Sequence, residues 1–250
     1  MTNKYMYFIA NWKMFGVPKS VNSLNRVIKF SKLRKNNKIK LIYCPPNTLL
    51  NLFSKKLKAT KIGLGGQNCH EENNFGAFTG SVNSKMLKSV GANYVILGHS
   101  ENRSLGENDI LINSKIKASI KNKLKIIFCI GETLAQKKKK KTHKVLKSQI
   151  IKGLKGVRKI ENIFFSYEPI WSIGSGLIPS NKELESNISF IKKTIQKRFK
   201  VNKPKILYGG SVNPNNVIEL KKIDNINGFL IGGASQDSKK FIDIVKKTFK

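Results

Sequence analysis

Phe164-Phe165-Ser166-Tyr167-Glu168-Pro169-Ile170-Trp171-Ser172-Ile173-Gly174-Ser175-Gly176 is the stretch on which the reading of the fold turns. A run of strand-forming residues ends in an acid, a proline follows at once, and a tryptophan and two glycines come next. Proline disfavours the helical region for the residue before it and has no N–H for a ladder, so Glu168 is expected to be extended and to be the last strand residue. Strand alternation places Glu168 on one face with Ser166 and Phe164, and Tyr167 and Phe165 on the other. A carboxylate at a strand mouth, followed by a loop with glycine hinges, suits a base beneath a lid. A strand-end acid before an ordinary loop fits the same residues, and the rest of the chain has to decide.

Outward from this stretch, similar apolar runs recur at Tyr5 to Ala10, Ile39 to Tyr43, Ile62 to Gly65, Tyr94 to Leu97, Lys125 to Ile130, Ile163 to Tyr167, Ile206 to Tyr208 and Gly228 to Ile231. Between most of them lie segments with apolar spacings near 3 and 4, such as Ile112, Ile116, Ile120 and Leu184, Ile188, Ile191, Ile195. The segments after the second and third runs are shorter. Strand-then-helix alternation implies parallel strands, and eight such units in 250 residues fit a closed (β/α)8 barrel better than an open sheet. No Gly-, Ser- or Pro-rich linker divides the chain, so one domain over residues 1–250 is expected.

In such a barrel the chemistry sits where the strands end. Asn11 and Lys13 share the parity of Ile9, so both are expected at the mouth, with Trp12 turned to the helices. His99 shares the parity of Val95 and Leu97 and is expected at the mouth on that ground, followed by Ser100 and Glu101. Gly209-Gly210-Ser211 follows the seventh run and Gly232-Gly233-Ala234-Ser235 the eighth. Paired glycines there let backbone N–H groups approach a phosphate.

Composition adds bounds. The absence of any run of about 18 apolar residues, and of a signal-like start, leads to the expectation of a soluble cytoplasmic protein with no membrane role. Cys44, Cys69 and Cys129 are too few and scattered for a disulfide framework or a paired-ligand zinc site, and no metal or cofactor is expected. The net charge of +34, from 48 Lys plus Arg against 14 Asp plus Glu, predicts a general attraction for anions. Its lysines are spread over the whole length among many Asn and Ile. The one block, Lys137 to Lys141, lacks interleaved aromatics and reads as a solvated face, so no specific nucleic-acid partner follows.

Taken together, Asn11-Trp12-Lys13-Met14, Gly98-His99-Ser100-Glu101, Tyr167-Glu168-Pro169-Ile170-Trp171, Tyr208-Gly209-Gly210-Ser211-Val212 and Gly232-Gly233-Ala234-Ser235 resemble the triosephosphate isomerase family, in order and over the whole chain. The resemblance implies an isomerase of glycolysis and gluconeogenesis that interconverts dihydroxyacetone phosphate and D-glyceraldehyde 3-phosphate through an enediolate. By the same resemblance Glu168 is the base, His99 a neutral electrophile, and Lys13 and Asn11 lie nearest the substrate oxygens, with Ser100 and Glu101 supporting them. Gly174, Ser211, Gly232 and Gly233 correspond to the phosphate cradle, and Pro169 to Pro179 to the lid. Gln67 to Gly80 is similar to the loop by which one subunit reaches its neighbour's site, which implies a homodimer.

The chain departs from the family pattern at Phe15, where asparagine is usual, at Asn102, where arginine is usual, and at Ser81, where glutamate is common. These departures bear on loop support and dimer strength more than on the chemistry. Two other readings stand beside the isomerase: another phosphate-binding barrel enzyme, because diglycine strand ends suit many phosphates, and a polyanion- or nucleic-acid-binding barrel.

Overall fold

A computed structural model describes residues 5–33 and 38–249; the outer ends of the expected span, Met1 and Lys250, lie outside the described residues. Eight parallel strands pair in chain order and close on themselves: β1 Met6–Asn11, β2 Ile39–Cys44, β3 Gly63–Gly66, β4 Tyr94–Leu97, β5 Lys125–Ile130, β6 Ile163–Tyr167, β7 Lys205–Tyr208 and β8 Ile226–Ile231. Closure runs through Tyr7↔Gly228 to Ala10↔Ile231. All eight expected strands are present, with ends displaced by no more than two residues.

The helices between them are α1 Leu24–Ser31, α2 Leu50–Leu57, α3 Ser84–Ser89, α4 Ser100–Ser104, α5 Asp109–Lys121, α6 Leu134–Lys138, α7 Thr142–Gly153, α8 Asn181–Phe199, α9 Val217–Leu220 and α10 Ser238–Thr248. Their starts follow from side-chain caps. Asn108 accepts from the N–H groups of Ile110 and Leu111, Ser180 from Glu183, and Asp237 from Lys239 and Lys240, each supplying an acceptor to donors that the first turn leaves unpaired. Along α8, Leu184, Ile188, Ile191 and Ile195 form one stripe buried against the sheet, and the helix stops at Lys200, which takes φ 54°.

Strand alternation divides the core in two. Ile9, Ile42, Cys44, Ile96, Ile127, Cys129, Phe164, Leu207 and Leu230 fill the barrel interior. The intervening residues, among them Phe8, Ala10, Val95, Leu97, Phe165 and Tyr167, pack outward under the helices. Each fully buried aliphatic side chain contributes about 1.5–3 kcal/mol. β3, which reads Gly-Leu-Gly-Gly, sends no bulky side chain inward, and Tyr94 occupies that space. A Cβ on Gly65 would stand 2.7 Å from Cys44 Sγ and 3.0 Å from Tyr94 Cβ. The Tyr94 and Tyr7 rings in turn meet Phe164 at 6.1 and 4.8 Å, plugging the end of the barrel away from the mouth.

Candidate active site

Glu168 lies one residue beyond β6, but its N–H still donates to Ile130 O at 2.8 Å, so the strand geometry holds through it. It keeps the interior parity of Phe164, as the sequence predicts, and is only 1 % exposed. Its Oε1 accepts the Ser100 N–H at 2.7 Å and its Oε2 stands 3.5 Å from His99 Nε2. Burial pushes this carboxyl above the usual range, opposed by the nearby His99 ring and the Ser100 N–H.

His99 reaches the mouth by a different route from the one its parity indicates. Val95 and Leu97 face outward under the helices, and a regular strand would have sent His99 after them. Gly98 takes φ 74°, a left-handed turn that reverses the alternation and brings the imidazole inward. There His99 Nδ1 accepts the Glu101 N–H at 3.3 Å, which leaves the ring proton on Nε2, the nitrogen facing Glu168. Ser100 and Glu101 thus hold Glu168 and His99 through their backbone N–H groups, and Glu101 adds its carboxylate, which pairs with Lys13.

Asn11 ends β1, and its Oδ1 accepts the Lys13 N–H at 3.1 Å, so its Nδ2 is left to donate elsewhere. Lys13 itself sits at φ 56°, and its ammonium pairs with the Glu101 carboxylate. Trp12 turns outward as expected, with Nε1–H donating to Ser235 O at 3.2 Å and its ring edge-on to Phe53. Gln67 braces this corner, with Nε2 donating to Lys13 O at 2.8 Å and Cys44 O at 2.9 Å.

A cavity of about 420 Å³ opens between these groups and the ends of β7 and β8. Its lining includes Asn11, Lys13, His99, Gly174, Ser211, Gly232 and Gly233, and Phe15 at the rim, but not Glu168, whose carboxylate is turned back onto Ser100. A Cβ at Gly232 would lie 3.5 Å from Lys13 Cε, which puts the end of β8 against the lysine stem. A Cβ at Gly210 would sit 2.3 Å from Tyr208 Oη and 2.6 Å from Ser172 Oγ, so only glycine admits this close approach. The Ser211 N–H donates to Ser172 Oγ at 3.3 Å in this conformation, so that member of the expected cradle is engaged by the loop after β6. Residues 174–177 of that loop are exposed.

Sequence reasoning assigned no role to Glu132, which is fully buried just after β5. It accepts the Tyr167 hydroxyl at 3.2 and 3.3 Å and the Trp171 Nε1–H at 3.1 Å, while Asn187 donates to Tyr167 Oη at 2.8 Å. Burial raises the Glu132 carboxyl, and the Trp171 and Tyr167 bonds counter it. The signal was the strand-end rule itself, which the fifth strand satisfies with Gly131-Glu132-Thr133. The three cysteines are buried and unpaired, and burial pushes the Cys129 thiol well up, which leaves it a packing residue. No described helix is long and apolar enough to cross a membrane.

The family model described as triosephosphate isomerase matches residues 6–248. A triosephosphate isomerase of Thermodesulfovibrio yellowstonii is 41% identical, with 96% of this chain and 98% of that protein covered. One of Aquifex aeolicus is 41% identical over 94% of this chain and 96% of its own. The crystal structure of triosephosphate isomerase from Bartonella henselae superposes with a TM-score of 0.89 at 34% identity, covering 98% of this chain and 99% of that one. With the mouth geometry and matches over nearly the full length, the chain belongs to the triosephosphate isomerase family.

Proposed function

We propose that this mouth carries the reaction of the family, the interconversion of dihydroxyacetone phosphate and D-glyceraldehyde 3-phosphate, with Glu168 as the base. The transfer needs a base at carbon, a donor at oxygen and a positive charge near the enediolate. Glu168 takes a proton from C1 of the ketose, leaving the electron pair to form the enediolate, and returns the proton to C2. His99 donates from Nε2 to the substrate oxygens, the tautomer that the Glu101 N–H at Nδ1 selects. Lys13 offsets the developing charge and Asn11 donates from Nδ2. Backbone at Gly174, Ser211, Gly232 and Gly233 receives the phosphate, whose binding energy draws the loop over the cavity.

The observation that carries this reading is the convergence of Glu168 and His99, 3.5 Å apart, beside a cavity lined by Lys13 and Asn11. Because Glu168 stands back on Ser100, it leaves that N–H when the loop after it closes, and burial that lifts its pKa also makes it a stronger base. The test is Glu168→Gln, assayed for triose phosphate interconversion. Loss of about 10²–10⁴-fold with the fold retained is expected, and a variant within tenfold of the parent excludes Glu168 as the base.

A homodimer formed through Gln67 to Gly80 completes the reading. Phe75 and Phe78 on that loop are 69% and 47% exposed, and Met14 and Phe15 beside the cavity 93% and 58%, an apolar surface that a second copy covers. The three unpaired, buried thiols agree with a reducing, cytoplasmic setting.

A further inference from the structure

The lysine block 137–141 stands apart from the chemistry, and Lys138 to Lys141 are exposed, the solvated face its composition predicts. Lys137 differs. It lies near the end of α6, a helix whose start is fixed by Thr133 and Gln136 in a reciprocal cap, and it is partly buried. Its Nζ stands 3.7 Å from the centroid of the Trp171 ring and 2.8 Å from Glu183 Oε1, in the first turn of α8. Trp171 stands at the root of the loop that follows Glu168, and its Nε1–H is bound by Glu132. The indole is therefore gripped at its edge by a carboxylate and over its face by an ammonium, both from elements outside the loop.

We propose that Lys137 is a positioning residue that clamps Trp171 and so biases the loop toward its open state, an inference that rests on the reading of Pro169 to Pro179 as a lid. An ammonium over an indole face is attracted by the negative face of the ring, and Glu183 holds that ammonium in place. Glu168 must leave the Ser100 N–H to reach substrate, and Trp171 follows it by three residues on the same loop. Closure therefore disturbs the indole that Lys137 covers. The open state, but not the closed one, keeps the full contact, so removing it raises the closed population and strengthens the binding of any ligand that closes the lid.

The experiment compares the parent with Lys137→Met, which keeps the stem and removes the charge, and with Lys137→Arg, which keeps a cation. Tryptophan emission reports Trp171, because the other tryptophan, Trp12, is 2% exposed and packed away from the lid. Titration with 2-phosphoglycolate should give Lys137→Met an apparent Kd lower by about two- to fivefold, with KM and kcat falling together as product release slows. Its ligand-free emission should shift toward that of the liganded parent. Lys137→Arg should behave as the parent does. If parent emission responds to 2-phosphoglycolate while Lys137→Met matches the parent in emission and affinity, or if the Met and Arg variants change alike, the clamp is overturned and the lid stands. If parent emission does not respond at all, the lid reading fails and takes the clamp with it.

Discussion

Two loops stand out from the mouth, one after β6 and one after β3, and they are held in opposite ways. The loop after β3 is tied along its backbone. The His70 N–H donates to Val82 O at 2.8 Å, Asn122 reaches Asn73 O at 3.2 Å, Asn83 bonds Asn74 O, and Gln67 fixes its base to Lys13 O. The loop after β6 is held mainly at its root, where Glu132 binds Trp171 and Tyr208 meets Ser172 at 2.9 Å; the bonds of Ser175 are local, to Ser172 O and the Leu177 N–H. Both tips are exposed, so exposure does not separate a segment that moves from one that waits for a partner. The separation lies in where the backbone groups are anchored.

The strongest way to break this comparison is to delete Ile173 to Gly176 while keeping Glu168. Proton removal should persist, but the unprotected enediolate should expel its phosphate, and the ratio of inorganic phosphate plus methylglyoxal to isomerised product should rise by about tenfold or more. A lower rate at an unchanged ratio means the loop does not seal the intermediate. On the other loop, Phe78→Asp should weaken self-association by about thirtyfold, as loss of a central aromatic contact does, and shift the sedimenting species to a monomer at micromolar protein. An unchanged sedimentation profile removes the loop from the subunit contact.

A smaller effect sharpens the contrast in anchoring. Asn83→Ala loses the cap on Met86 and the hold on Asn74 O, and should lower unfolding stability by about 1–2 kcal/mol. Ser175→Ala, in the loop after β6, should stay within about 0.5 kcal/mol in the same denaturant titration. The smallest effect is a pH dependence. Burial raises the Glu168 carboxyl, so the fold favours its protonated form; that stabilisation is complete below the unfolded pKa and is lost as pH rises through the raised value. Glu168→Gln should therefore melt above the parent at pH 8, and the gap should close as pH falls below the ordinary carboxylate range. A gap that widens on acidification contradicts that sign.

Strand positions were legible because β-branched and aromatic runs bounded by glycine and proline leave few alternatives. The parity of Asn11 and Glu168 followed from regular strand geometry, whereas Lys13 lines the mouth from φ 56°, two residues past the end of β1. Parity failed at His99, where one left-handed residue reversed it; His99 was placed at the mouth correctly but for the wrong geometric reason. Composition gave no sign that Lys137 differs from its four neighbours, because that difference depends on Trp171 and Glu183, 34 and 46 residues away. Gln67 was read only as the start of a subunit loop, and its bracing of Lys13 required the β2 and β3 ends side by side. Long-range polar contacts have no period, and pattern reading is blind to them.

Gly98 also separates two kinds of selection. A Cβ there would meet Arg103 Nη2 and Cys129 O at 3.1 Å and would burden a left-handed residue by about 1 kcal/mol or more, a loss that a barrel with so extensive a core can absorb. What it cannot absorb is rotation of the imidazole away from Glu168. A mutant library sorted by expression would retain substitutions at this position, and the same library sorted by turnover would discard them, so the position would look neutral in one screen and indispensable in the other.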